Sequence, residues 1–183
     1  SSAQTSIRFF EQLSAENPNN ENKYAYLMAL QATGNFEKAL LLVNELLNKY
    51  PKNLILNITK AETYLLDQQL EKAKLQIDTV LKIAPGNYPA SIIKSNILSA
   101  QNETINAEEI IRELLITKNN DPHLWMLLSE IQRSGKNILG YHLSRGEYYL
   151  LLGDLENALN QFQFALRISG SSFQTSETIM TKI

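Results

Sequence analysis

The sequence predicts an all-α fold, an α-solenoid of about 10–11 helices made by repeating one helical hairpin. Three observations predict it. Ala39, Ala73 and Ala107, in GNFEKAL, QLEKAKL and ETINAEEI, stand 34 residues apart. Pro51 and Pro85 repeat the same interval. Between these markers the apolar residues recur at helical spacing, while the seven glycines and five prolines fall nearly all outside the apolar runs.

Each marker has a steric reason. A small residue lets two antiparallel helices approach with only a methyl between their backbones. A proline after the second helix stops it, because it lacks an N–H and disfavours helix in the residue before it. Gly34, Gln68 and Asn102 occupy the turn before each second helix, and only the first is the glycine preferred there.

Taken in order, residues 1–18 hold an amphipathic helix around IRFFEQL that ends near Pro18. Repeats follow at 20–52, 54–86 and 88–120. In the first, Tyr24, Leu27, Met28, Leu30 and Gln31 mark the opening helix, and Leu40, Val43, Leu46 and Leu47 the facing stripe of the second. Leu75, Ile77, Val80 and Leu81 are expected to repeat that stripe, as are Ile110, Ile111, Leu114 and Leu115. A fourth alanine is due at position 141, which is Tyr141; the next match is GDLENAL, with Ala158, 51 residues after Ala107. That is one and a half repeats. The spacing predicts three helices over 122–134, 138–152 and 155–168, the middle one closing the fourth hairpin and opening the fifth. Residues 171–183 are expected to form a capping helix with Phe173, Ile179, Met180 and Ile183 inward.

Composition narrows function. The formal net charge of the 183 residues is −2, with no basic stripe, which argues against nucleic acid. No apolar run is long enough to span a bilayer, and SSAQTSIRFF lacks the order of a signal peptide. Cysteine is absent and there are two histidines, so a metal site would need His and carboxylates alone. His123 starts a helix and reads as an exposed polar residue. His142 is followed five residues later by Glu147, which is not the H-E-x-x-H spacing that puts two histidines on one metal. No glycine-rich phosphate loop and no nucleophile elbow is present. His142, Arg145 and Glu147 are the only cluster with catalytic residue types. The expectation is a non-enzymatic chain without cofactor or metal.

The turn, alanine and proline pattern resembles the tetratricopeptide repeat. The resemblance implies that the first helix of each hairpin lines an inner face, the default site for a protein or peptide partner. The candidate set is Tyr24, Met28 and Gln31, then Ile58, Glu62 and Leu65, then Ile92, Asn96 and Ser99, then Met126, Glu130 and Arg133, with Glu147 from the shared helix. Ile58, Leu65 and Ile92 read equally as core. Some tetratricopeptide domains clamp a C-terminal carboxylate with Lys, Asn and Arg here. This chain has Tyr24, Ile58, Ile92 or Met126 at the lysine position, and Met28, Glu62, Asn96 or Glu130 at the asparagine position. One amide without cations holds an anion poorly, so the face, apolar with scattered acids, suits an extended or helical apolar segment instead.

A narrower resemblance covers nearly the whole chain. NKYAYLMALQATGNFEKALLLVNELLNKYPKN, DPHLWMLLSEIQRSGKN and YHLSRGEYYLLLGDLENALNQFQFAL are similar to the C-terminal domain of periplasmic zinc metallopeptidases of the β-barrel assembly-enhancing protease family. The matching residues are Asp121, Pro122, Leu124 and Trp125, then His142, Glu147, Tyr148, Gly153 and Asp154. The resemblance implies a periplasmic binding domain whose partners are outer-membrane β-barrel proteins, their assembly machinery and its own protease domain. Zinc is then expected only upstream, where that family keeps H-E-x-x-H. The alternative is a stand-alone scaffold or adapter of the bacterial envelope.

Overall fold

The computed structural model describes residues 2–169, together with 177 and 181. Among the described residues there are ten helices and no strand: α1 (Ser2–Glu16), α2 (Asn20–Ala32), α3 (Phe36–Lys49), α4 (Leu54–Leu66), α5 (Leu70–Ile83), α6 (Tyr88–Ala100), α7 (Thr104–Thr117), α8 (Pro122–Ser134), α9 (Ile138–Leu151) and α10 (Leu155–Ser169). The capping helix expected over 171–183 lies outside the described residues. The chain divides into two units, Ser1–Ile97 and Leu98–Ile183, with the boundary inside α6.

Local chemistry sets both ends of each hairpin. The opening helices are N-capped at 34-residue intervals. The side chains of Asn19, Asn53, Asn87 and Asp121 accept from the backbone N–H of Asn22, Leu56, Ala90 and His123 at 2.8–3.1 Å. α3, α5 and α7 have no side-chain cap. Each follows a left-handed residue instead: Gly34, Gln68 and Asn102, at φ 73°, 57° and 63°. Lys136, at φ 60°, makes the same turn before α9, and Gly153, at φ 76°, makes it before α10. The helix-ending bond is the same throughout: the N–H of the residue after the left-handed one reaches back to the opening helix, as in Asn35 N to Leu30 O at 2.9 Å and Asn137 N to Gln132 O at 2.8 Å. The turn therefore keeps the 34-residue interval through Lys136, and the half-repeat step falls between Lys136 and Gly153.

In unit 1, α2, α3 and the start of α4 enclose Leu27, Leu30, Ala39, Val43, Leu46 and Leu56. α4, α5 and α6 enclose Ile58, Ala61, Ala73, Ile77, Val80, Ala90, Ile93 and Ile97. Ala39, Ala73 and Ala107 are all fully buried, as close helix approach requires. Leu75 corrects the sequence reading: it is 73% exposed. The inward stripe of α5 is Ala73, Ile77 and Val80, and Leu75 stands two residues from Ala73, on the opposite side of a helix with 3.6 residues per turn.

In unit 2, α9 packs on both α8 and α10. Ala158, Phe162 and Ala165 of α10 form a core with Leu139, Leu143 and Tyr149 of α9. Small residues permit this double packing. Gly140 supplies the close approach to α8 one residue before the half-buried Tyr141; a Cβ there would stand 2.8 Å from Gln132 Nε2. Gly146 supplies it toward Phe162.

Candidate functional site

The opening helices α2, α4 and α6 line up their inner stripes in unit 1, and two kinds of position separate on them. The first kind is committed to holding neighbouring helices together. Gln31, only 6% exposed, donates through Nε2 to Thr63 Oγ1 at 2.7 Å and to Thr59 O at 3.3 Å. Thr63 Oγ1 in turn donates to Thr59 O at 2.7 Å, and the Tyr24 hydroxyl lies 3.3 Å from Thr59 Oγ1. These bonds tie α2 to α4. Gln31, expected to face a ligand, is instead a buried strut whose amide is satisfied inside the chain.

The second kind is not committed. Met28 lies between Tyr24 and Gln31 on the α2 stripe and is 40% exposed. Glu62 and Asn96 occupy the equivalent register on α4 and α6, each 34 residues on, and both are partly buried. Neither makes a hydrogen bond or ion pair among the described residues. Glu62 sits on its helix between Ile58 and Leu65, which pack into the core that holds Ile93 and Ile97. Burial in that apolar setting pushes its carboxyl pKa up. Ile58 is core, while Leu65 and Ile92 are partly buried.

In unit 2 the candidate residues are engaged differently. Glu130 pairs with Arg133 one turn on and with Arg145 of α9 at 3.6 Å. The Arg145 guanidinium carbon lies 5.1 Å from the Tyr148 ring centre and 5.2 Å from that of Tyr149. Met126, Glu147 and Ser99 are partly buried and Arg133 is exposed. His142 and Arg145 do not converge. His142 turns to α10, where Nδ1 meets Gln161 Oε1 at 2.8 Å and the ring stacks on Phe164, whereas Arg145 turns to α8. No group of three or more His, Cys, Asp or Glu among the described residues is placed to hold a metal, and no described helix is long and apolar enough to cross a membrane.

A pocket of about 460 Å³, which the sequence reading missed, opens where α2, α3 and α4 meet, lined by Asn20, Tyr24, Leu46, Tyr50 and Ile55 among others. Tyr50 accepts a bond from Asn20 Nδ2 at 2.8 Å, and Lys49 lies 5.2 Å from its ring centre. The residues that line it come from three separate helices and the turns between them, so no local motif announces them.

No family model and no curated protein matches the chain. Solved structures do. A tetratricopeptide-repeat protein from Parabacteroides merdae aligns over 99% of this chain and 77% of its own, with TM-score 0.63 and 16% identity. A thermophilic tetratricopeptide-repeat protein of Thermus thermophilus aligns over 98% and 90%, with TM-score 0.61 and 19% identity. The chain has the tetratricopeptide-repeat fold. YrrB, a tetratricopeptide-repeat protein with an unusual peptide-binding site, aligns over 94% of this chain and 97% of its own, with TM-score 0.55 and 13% identity. In tetratricopeptide terms α2, α4, α6 and α8 are first helices, α3, α5 and α7 are second helices, and α9 serves as both.

Proposed function

We propose that this tetratricopeptide domain binds a segment of another protein on the inner face of its first helices. The observation that supports the reading is the split on that face in unit 1. The Gln31–Thr59–Thr63 bonds already hold α2 to α4, so Met28, Glu62 and Asn96 are not needed for that task and remain open to a partner.

The finer reading is the non-catalytic arm of a periplasmic zinc metallopeptidase that serves outer-membrane protein assembly and quality control. Its support is the run from Asp121 to Asp154, which spans α8, α9 and the turn into α10 and includes the half-repeat step. On this reading zinc belongs to an upstream domain, and the partners are β-barrel proteins and their assembly machinery.

Two experiments test these levels separately. Photo-crosslinking residues placed at Met28 and Met126 should trap protein partners, and those at the exposed, outward Leu41 and Leu75 should not. Capture only from Leu41 and Leu75 would reject the inner face. The full-length gene decides the finer reading: without H-E-x-x-H upstream, the metallopeptidase assignment fails and the envelope scaffold takes its place.

A further inference from the structure

We infer that the inner face of unit 1 selects an extended polypeptide segment that sets a lysine or arginine against Glu62 and an apolar side chain against Met28. This rests on the inner-face reading above and adds the chemistry of the occupant.

The argument begins with a cost. A carboxylate stripped of part of its water is unfavourable unless something charged or hydrogen-bonding replaces that water. Glu62 is in that position, flanked on α4 by Ile58 and Leu65 and set against the core containing Ile93 and Ile97. No hydrogen bond or ion pair among the described residues compensates it. The lysines of α6 and of α4 itself are turned elsewhere. Lys94 of α6 pairs with Asp78 of α5, and Lys60 of α4 lies 5.9 Å from the Tyr64 ring centre.

The contrast with the rest of the chain is informative. Glu130, in the same register on α8, has Arg133 and Arg145. Glu108 of α7 has Arg112 at 3.2 Å and Gln132 at 3.1 Å. Lys23 and Glu45 pair at 2.5 Å. Glu130, the partly buried carboxylate at the equivalent place on α8, is thus matched with cations from within the chain, and Glu62 is left to be matched from outside. An ammonium or guanidinium supplies both the charge and the donors that a carboxylate takes best. Asn96, one repeat on, offers an amide to the backbone of the same segment, and Met28, one repeat back, an adaptable apolar surface.

Geometry adds a spacing. Helices in contact lie about 8–10 Å apart, and a chain extended as polyproline II advances about 3.1 Å per residue and presents every third side chain to the same face. The basic and apolar residues of the partner should therefore be about three positions apart.

The test uses the full chain as an immobilised target for a displayed library of random peptides, each about 12 residues long so that an extended one spans several helix spacings. Selection on the unaltered chain should enrich peptides with Lys or Arg about three residues from an apolar residue. Selection on Glu62→Gln should lose the basic preference, and on Glu62→Lys should turn it to Asp or Glu. For an enriched peptide, replacing its Lys or Arg by Ala and replacing Glu62 by Gln should each weaken binding roughly tenfold, with little further loss when both are combined. Circular dichroism of each variant reports on folding; a Glu62 variant that loses helix is replaced by Glu62→Ala with the same readout. Enriched peptides without a basic bias, or a bias that persists in Glu62→Gln, overturn the inference and leave the inner-face reading standing. Peptides whose binding is indifferent to Met28→Glu as well, or no enrichment at all, overturn both. Self-association in place of peptide capture, seen by sedimentation, would show the face to be an interface between copies and would also overturn the inference.

Discussion

A Cβ built on Gly146 of α9 would stand 2.4 Å from Cε1 of Phe162 on α10. The Phe162 ring is 1% exposed and enclosed by α9 and α10, so it has nowhere to turn. Gly146→Ala should destabilise the chain by about 1–3 kcal/mol, the usual range for overpacking, despite the better helix propensity of alanine. Phe162→Leu in the same chain should recover part of the loss. Denaturant unfolding of the two single variants and the double variant measures both effects; additive losses would show that the ring and the glycine are not coupled.

The left-handed turns give opposite signs at equivalent positions. Gln68 and Lys136 hold φ of 57° and 60°, where a side chain is strained and glycine is not. Gln68→Gly and Lys136→Gly should each raise stability, by up to about 1 kcal/mol. Gly34→Ala, at φ 73°, should lower it by a similar amount although a Cβ there meets nothing within 4 Å. Thermal melts of the three variants separate backbone strain from packing, because only the first acts at these sites.

The Glu62 carboxyl has a raised pKa in the folded chain, from desolvation. A group whose pKa is higher folded than unfolded favours folding at low pH, and that contribution is lost as pH rises through its folded value. Glu62→Gln should therefore be at least as stable as the unaltered chain at neutral pH. The gain should be small, no more than about 0.5 kcal/mol, because solvent screens the open half of the side chain. It should disappear in acid below the ordinary carboxylate range. Urea melts across that range would reject the explanation if the difference were independent of pH.

Tyr26 of α2 should titrate late. Burial and the bond it donates to Glu11 Oε1 of α1, at 2.9 Å, push its phenol up to about 12 from the usual 10.0. Tyr50, whose hydroxyl has Lys49 and Asn20 beside it, should titrate early. Whatever stability the Tyr26 phenol lends is intact below its unfolded pKa and fades as pH rises toward about 12. Ultraviolet difference titration should lose a late tyrosine step in Tyr26→Phe and an early one in Tyr50→Phe.

The sequence made the repeat legible where sterics leave little choice. Ala39, Ala73 and Ala107 mark the hairpins because nothing larger fits between their helices. The Asn19, Asn53, Asn87 and Asp121 caps share that interval too, and are a further signature of the period that the sequence reading passed over. Gln68, Asn102 and Lys136 were harder to read, because a glutamine or lysine in a left-handed turn is held there by the packing of the hairpin, not by its own preference. Leu75 was misplaced because a stretch with Leu75, Ile77, Val80 and Leu81 offers more apolar residues than one helix face can bury. Gln31 was misplaced because a polar residue on an inner stripe looks available until Thr59 and Thr63 are seen across from it. Glu62 and Met28 were legible as members of the face. What the sequence did not tell was which of its members the fold had already used.

α9 has consequences for how the second unit comes apart. In a plain array each hairpin meets its neighbours through separate helices, and terminal hairpins can open one at a time. Here one helix belongs to two hairpins, with Gly140 against α8 and Gly146 against α10. Neither hairpin can melt while the other stays whole, since both would lose the same wall. The stretch from Pro122 to Ser169 should accordingly exchange its amide protons as one cooperative block, and a lesion anywhere on α9 should be felt at both of its ends.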